Sequence, residues 1–326
     1  MIKRRNFLAG VPASALALSP WQHALAQQRW PNRPIKFVVP FPPGGPTDGI
    51  GRLVCLRLQE QLGQSFVVEN IPGMGGSLGM GRLAKMPADG YAIGLAHTGT
   101  HGIGPNLYKN VGYDPKRDFT PIARLVDYVN VLVVNANAPY RSLADLLSAA
   151  RANPGSINYG SAGNGSSNHL SGEMLAMHAK VGLTHVPYRG SALALNDLLA
   201  GTLQFMFDAP NTSLPHLRSG KLRALATTGR TRHRLLPDVP TVAETLPGYE
   251  VIGWMGVVGP AGLPDAVQRQ LEAELEKVLA SPDMAERLAG LGLDAHFGDH
   301  NELTKTISTD LALWAGVIKA AGVKVD

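Results

Sequence analysis

Short apolar runs in this chain repeatedly break off into polar loops rich in glycine and proline, and the loops open into helix-like patterns. The first instance is VVPFPPGGPTDGIGR, from Val38 to Arg52. The hydrophobic spacing changes there from that of a strand to that of a helix, with Ile50, Leu53, Val54 and Leu58 on one face of Asp48 to Leu62. A strand at Ser65–Glu69 leads to a second glycine loop, Asn70–Gly81, and a helix running to about Met86. Tyr91–Ala96 is a third strand, ending in HTGTHG. Alternation of this kind folds as a parallel sheet covered by helices. From about Val131 the pattern restarts. VLVV reads as a strand, Ser142–Gly155 as a helix with a proline–glycine stop, and INYGSAGNGSSNH as a strand entering a polar loop. Next come a helix with Leu170, Met174 and Met177 on one face, strand THVPY, helix Ala192–Ala200, strand LQFMF and strand KLRALATT. Strand Tyr249–Val258 and three helices complete the chain, the last with an apolar stripe at Leu303, Ile307, Leu311, Trp314 and Ile318. At 326 residues the chain has room for two α/β units. In such sheets ligands bind beyond the C-terminal ends of the strands, and two such edges facing each other make a cleft.

The N-terminus reads as an export signal. Met1 to Gln28 has a basic start, a modest apolar run and small residues at Ala24-Leu25-Ala26, which places cleavage after about Ala26. Arg4-Arg5-Asn6-Phe7-Leu8 also resembles a twin-arginine address. The run is too short to span a membrane, and the expected location is the periplasm. Removing Lys3, Arg4 and Arg5 from the 30 basic residues leaves 27 against 25 acidic ones. The remaining charge forms no basic patch interleaved with aromatics, so nucleic acid is not an expected partner. Cys55, the only cysteine, sits among leucines in the first helix and reads as a buried apolar thiol.

The loops decide the chemistry. Gly44 and Gly45 let backbone approach a ligand, Pro42 and Pro43 stiffen the approach, and Thr47 or Asp48 is placed to cap the helix. Free N–H groups and the helix dipole favour an anion there. A phosphate-binding P-loop needs lysine and Ser/Thr after its glycines, and a dinucleotide fingerprint needs G-x-G-x-x-G. Pro46-Thr47-Asp48 supplies neither, so a carboxylate is the better fit. In the second unit, Ser161, Asn164, Ser166 and Ser167 precede a helix, and Tyr188 and Arg189 stand at a strand end, where Arg189 suits a second carboxylate. His169 reads as a structural or ligand hydrogen-bonder. Asp208 either accepts a hydrogen bond from a ligand or fixes its loop. His97 and His101 lie four apart, but the glycine-broken HTGTH is not expected to be helical and so makes a poor zinc pair. The serine loop Tyr159–His169 contains no G-x-S-x-G elbow.

These residues carry a resemblance. VVPFPPGGPTD, VVENIPGMGGSLG, ADGYAI, INYGSAGNGSSNHLSGE, HVPYRG, FMFDAPNTSLPHLRSGKLRALATTG and LPDVPTVAETLPGYEV together resemble the Bug-type, TctC-like receptors of tripartite tricarboxylate transporters. The resemblance covers the mature chain. It implies a type II periplasmic binding-protein fold, α/β in class, with two doubly wound lobes around a central cleft. One lobe would comprise 29–130 plus 235–326 and the other 131–234. It also implies no catalysis and no cofactor. The expected partners are a small organic carboxylate, an aliphatic dicarboxylate before an aromatic acid, and membrane permease subunits; the receptor itself is expected to be a monomer. Carried onto this chain, one wall is Phe41, Pro42, Pro43, Gly44, Gly45 and Thr47 with Asn70, Gly75, Gly76 and Thr98. The opposite wall is Ser161, Asn164, Gly165, Ser166 and His169 with Tyr188, Arg189, Gly190 and Asp208. Met74 stands where the resemblance leads one to expect a small residue, and NTSLPH after Asp208 departs from a commoner serine-rich wording. The competing readings are an exported hydrolase using the serine loop with His169, or a ligand sensor serving a two-component system.

Overall fold

The computed structural model describes residues 30–324. The expected export signal and cleavage site lie outside the described residues. Strand β1 (Ile35–Val39) runs into helix α1 (Pro46–Leu62), and β2 (Phe66–Asn70) into a short turn and α2 (Ser77–Leu83). Strand β3 (Ala92–His97) is followed by a π-helical turn at Gly99–Ile103 that continues as α3 (Gly104–Leu107). Strands β4 (Phe119–Val129) and β5 (Val131–Asn135) are separated only by Asn130. Then follow α4 (Leu143–Ala152), β6 (Asn158–Ser161), α5 (Ser167–Ala179), β7 (Thr184–Pro187) and α6 (Ser191–Leu199). Next are β8 (Phe205–Asp208), α7 (Pro210–Arg218), β9 (Leu222–Thr227), α8 (Val242–Thr245) and β10 (Ile252–Pro260). Helices α9 (Asp265–Ala280) and α10 (Pro282–Gly290), strand β11 (Asp294–Gly298) and α11 (His300–Ala321) complete the order.

The strands form two sheets, β11-β4-β10-β3-β1-β2 and β7-β6-β8-β5-β9. Both are mixed, which corrects the expectation of purely parallel sheets. The strands β2, β1 and β3 are parallel, as are β7, β6 and β8. By contrast β10 lies antiparallel between β3 and β4, and β5 antiparallel between β8 and β9. The hydrophobic pattern does not announce β4, because Pro121, Arg124 and Asp127 interrupt its apolar alternation. Arg124 and Asp127 bond each other at 2.5 Å, so both charges are met at the sheet. A second correction concerns HTGTH, which enters a wide helical turn. Gly102 permits this, since a Cβ there would lie 2.9 Å from the Trp314 ring.

Local signals explain the helix ends. Pro46 occupies the first position of α1, and Gly63 closes it in the left-handed region with its N–H on the Gln59 carbonyl. Ser142 and Asp145 form a reciprocal capping box on α4. Phe37, Val38, Ile93 and Leu95 are fully buried beneath the helices of the first sheet; Val133, Phe205 and Phe207 are so in the second. Cys55 is buried within α1, and burial pushes its thiol far up. On α11, Leu303, Ile307, Trp314 and Ile318 are buried, with Leu311 partly so.

The chain passes between the sheets at one bonded junction. Asn130 N–H donates to the Thr228 hydroxyl at 2.8 Å, and Thr228 N–H to the Asn130 carbonyl at 2.9 Å. The Thr228 hydroxyl donates in turn to the Val251 carbonyl at 2.6 Å.

Candidate functional site

The C-terminal ends of β1, β2 and β3 face those of β6, β7 and β8, and their loops meet. A Cβ on Gly190 would lie 2.9 Å from the Pro42 ring, and one on Gly75 only 2.3 Å from the Asn164 carbonyl oxygen. Tyr108 donates to that same carbonyl at 2.6 Å, and Asn211 Nδ2 to the Pro46 carbonyl at 3.2 Å. These contacts enclose a cavity of about 210 Å³, below the roughly 300–1,000 Å³ of sites for drug-sized ligands.

Four helices begin at this cavity. Gly45 is the N-cap of α1, Ser166 of α5, Gly190 of α6 and Ala209 of α7, and all four line it. Of the four caps only Ser166 offers a side-chain acceptor to its own helix, taking the His169 N–H. Elsewhere the first-turn N–H groups have no side-chain cap, and their partial positive charge is directed at the cavity. Thr47 and Asp48 therefore do not cap α1, contrary to the sequence expectation; they fall inside its first turn. Asp48 instead accepts from Gly44 N–H, Arg52 and Asn70, each near 3.0 Å. Burial pushes its carboxyl up, but these bonds outweigh burial and hold it below its ordinary value.

The walls are apolar at Phe41, Pro43 and Met255, and polar at Thr47, Ser166, Ser167 and Asn168. Among the described residues no Asp or Glu lines the cavity. Arg189 is exposed at its rim and makes no ion pair among the described residues. His97 lines the wall with its Nδ1 accepting from Gly99 N–H at 2.9 Å. That bond leaves Nε2 as the protonated nitrogen, buried and without a protein partner among the described residues. Burial lowers the ring to about 3, so it is a neutral donor. Asn130 lines the same cavity with Oδ1 buried and unpartnered, its Nδ2 on Ser171 Oγ at 3.2 Å. Asp208 lies behind Ala209 and is fully buried, with Oδ2 taking the Thr212 hydroxyl at 2.6 Å and Oδ1 unpartnered. Burial raises its carboxyl to about 7, against the lowering effect of the Thr212 and Ala209 bonds.

The expected site residues divide into three groups. Phe41, Pro42, Pro43, Gly45, Thr47, Ser166, Arg189 and Gly190 line the cavity. Gly75, Gly76, Asn164 and Tyr188 line an adjoining hollow of about 270 Å³, which shares Phe41, Pro42 and Arg189. Gly44, Asn70, Thr98, Ser161, Gly165, His169 and Asp208 line neither. Several of these seven support the walls from behind. Asn70 Nδ2 ties the Phe41 carbonyl to Asp48, and the Thr98 hydroxyl accepts from Trp254 N–H at 3.0 Å. Ser161 Oγ accepts from Gly163 N–H and bonds His185 Nε2 at 2.6 Å. His169 accepts from Gly165 N–H on Nδ1 and faces Glu173 with Nε2 at 3.6 Å. Neither of its ring nitrogens is on Ser166, whose hydroxyl donates to the Gly163 carbonyl, so the serine–base contact of a hydrolase is not formed. Sequence reasoning misses His97, Tyr128, Asn130 and Met255 as wall residues. His97 has a usable signal as the polar end of an apolar strand; Met255, in mid-strand, has none.

Comparison with known proteins places this architecture. Residues 50–323 match the model of the tripartite tricarboxylate transporter family receptor, TctC. An R. palustris protein solved with adipate is 37% identical, with a TM-score of 0.88 over 90% of this chain and 99% of its own. The periplasmic binding protein BugD is 36% identical, with a TM-score of 0.87 over 90% and 99%. Malate-bound MatC from Rhodopseudomonas palustris is 33% identical, with a TM-score of 0.85 over 88% and 99%. The fold is that of the periplasmic binding proteins, and the chain belongs to the Bug-type, TctC family of solute receptors.

Proposed function

We propose that this protein captures a small organic carboxylate in the cavity between its sheets and delivers it to the permease of a tripartite tricarboxylate-type transporter. The observation that carries the reading is the convergence of four helix N-termini on a cavity that, among the described residues, has no acidic lining and one arginine outside any ion pair. Backbone N–H groups hold one carboxylate in the manner of a helix-terminus anion site. Arg189 suits a second, which favours an aliphatic dicarboxylate. The relatives with adipate and malate support a carboxylate as the ligand class. Micromolar affinity requires about −8 kcal/mol, which a few charge-assisted bonds and the contact of the loops can supply. The two lobes, 29–130 plus 235–326 and 131–234, close on the ligand from opposite sides, and the permease reads the closed form. The receptor works in the periplasm as a monomer, without a cofactor and without catalysis.

The test is a thermal-shift and calorimetric panel of mono- and dicarboxylates on protein refolded to remove carried-over ligand. Stabilisation by at least one organic acid, growing with its concentration, is expected. A flat response to the whole panel would sink the proposal.

A further inference from the structure

The hollow beside the cavity differs from it in chemistry. The two share Phe41, Pro42, Ala162 and Arg189, so a ligand held in one reaches the other past the same guanidinium. Among the described residues no helix of eight or more residues begins at the hollow, and Arg189 is the only charged residue lining it. Two tyrosines line it with their hydroxyls committed to protein partners. Tyr108 donates to the Asn164 carbonyl and Tyr188 to Asp197 Oδ2, each at 2.6 Å. Their rings are what remains for a ligand. Pro72 and Met74 complete an apolar lining.

Met74 is the unusual member. It sits in the left-handed region at φ 51°, one of two described non-glycine residues with positive φ, and it is 42% exposed. A methionine gains nothing from that backbone, which costs an L-residue on the order of 1–2 kcal/mol. Its neighbours Gly73, Gly75 and Gly76 take positive φ as glycines do. The strained, half-exposed thioether therefore has no fold-level reason in the loop. It does line a hollow walled by aromatic rings, where a thioether makes favourable contact with an aryl group.

Resting on the carboxylate reading, we propose that the hollow is an apolar subsite and that the preferred ligand is a carboxylate bearing an aryl-sized hydrocarbon group, in place of the plain aliphatic diacid that Arg189 alone would favour. The carboxylate occupies the cavity at the helix N-termini. The hydrocarbon group passes Arg189 and lies between Met74 and the rings of Phe41, Tyr108 and Tyr188. Met74 sets this specificity.

Calorimetric titration with two charge-matched pairs tests it: propionate against 3-phenylpropionate, and succinate against 2-phenylsuccinate. In any pair that binds, the phenyl member is expected to bind at least about tenfold more tightly, because an aryl group leaves water. Met74→Asp puts a carboxylate into the hollow at a backbone that Asp tolerates, and is expected to cut that ratio below about threefold. Met74→Gly, which removes the side chain and relieves the backbone, is expected to lower the ratio as well. An absent phenyl preference overturns the subsite, and so does a preference that both variants leave intact. If unsubstituted acids bind in the wider panel and none of these four does, the subsite alone falls. If no acid in the panel binds, the receptor reading falls with it.

Discussion

Gly75→Ala separates the closure of the loops from the stability of the fold. Gly75 has φ 59° and ψ 25°, so alanine there costs on the order of 1–2 kcal/mol in backbone alone. Its methyl would also stand 2.3 Å from the Asn164 carbonyl oxygen and 3.2 Å from the Gly165 carbonyl carbon, both backbone atoms of the opposite loop. Ordinary contact begins at 3.4 Å, so the loops must part by roughly 1 Å. That displacement is enough to break one charge-assisted hydrogen bond between ligand and one wall, a loss of about 1.5–3 kcal/mol. Affinity for the acid that binds best should fall about ten- to hundredfold. Gly201→Ala is the control, because Gly201 has φ 81° and a methyl there would meet nothing within 4 Å, so strain is present without a clash. Calorimetry gives the two dissociation constants, and thermal melts check that both variants lose a similar few degrees. The reasoning fails if Gly75→Ala binds within about twofold of the unmodified protein, or if Gly201→Ala weakens binding as much.

Two more outcomes follow from buried groups. Asp208 has a carboxyl raised from 3.8 to about 7 by burial, so the folded state holds its proton where the unfolded state has lost it. This contribution favours folding below about pH 4 and is lost as pH rises through 7. Asp208→Asn should flatten ligand-free stability between pH 5 and 8 in urea melts, by up to roughly 3 kcal/mol; parallel curves for the two proteins would contradict it. His97 is neutral down to about pH 3, its ring lines the cavity, and its Nε2–H has no protein partner among the described residues. His97→Phe should therefore weaken carboxylate binding about tenfold by the same factor at pH 5.5 and pH 8, and a factor that changes with pH would mean the ring is charged.

Much of this architecture is legible in the sequence because strand and helix periods alternate with glycine loops. The strand ends at Asn70, Pro187 and Asp208 fall within one residue of the sequence expectation. The opening loop of α1 lines the cavity as its glycines and prolines suggest. What is not legible depends on long-range pairing. Phe119–Val129 reads as irregular until β10 lies along it, and Tyr128 and Asn130 reach the cavity only through that pairing. The roles of Ser161 and His169 are equally invisible in one dimension. Their loop looks like ligand chemistry, yet both side chains bond His185, Glu173 or local backbone behind the wall. Gly45 displaces Thr47 and Asp48 as the cap of α1 because Asn70 and Arg52, distant or on the next turn, claim the aspartate.

The position of β10 has a consequence for how the chain acquires its shape. The second sheet draws on residues 131–227, so all its strands exist before β10 has been synthesised. The first sheet needs Ile252–Pro260 between β3 and β4, more than 150 residues after β3 begins. Until β10 and β11 arrive, β3 has one unpaired edge and β4 has two, the feature from which strands recruit wrong partners. Loop-closure entropy makes this late central insertion the slow part of assembly. A chain cut short before residue 252 would therefore retain every strand of one sheet and leave the other as β3-β1-β2 with β4 unpaired.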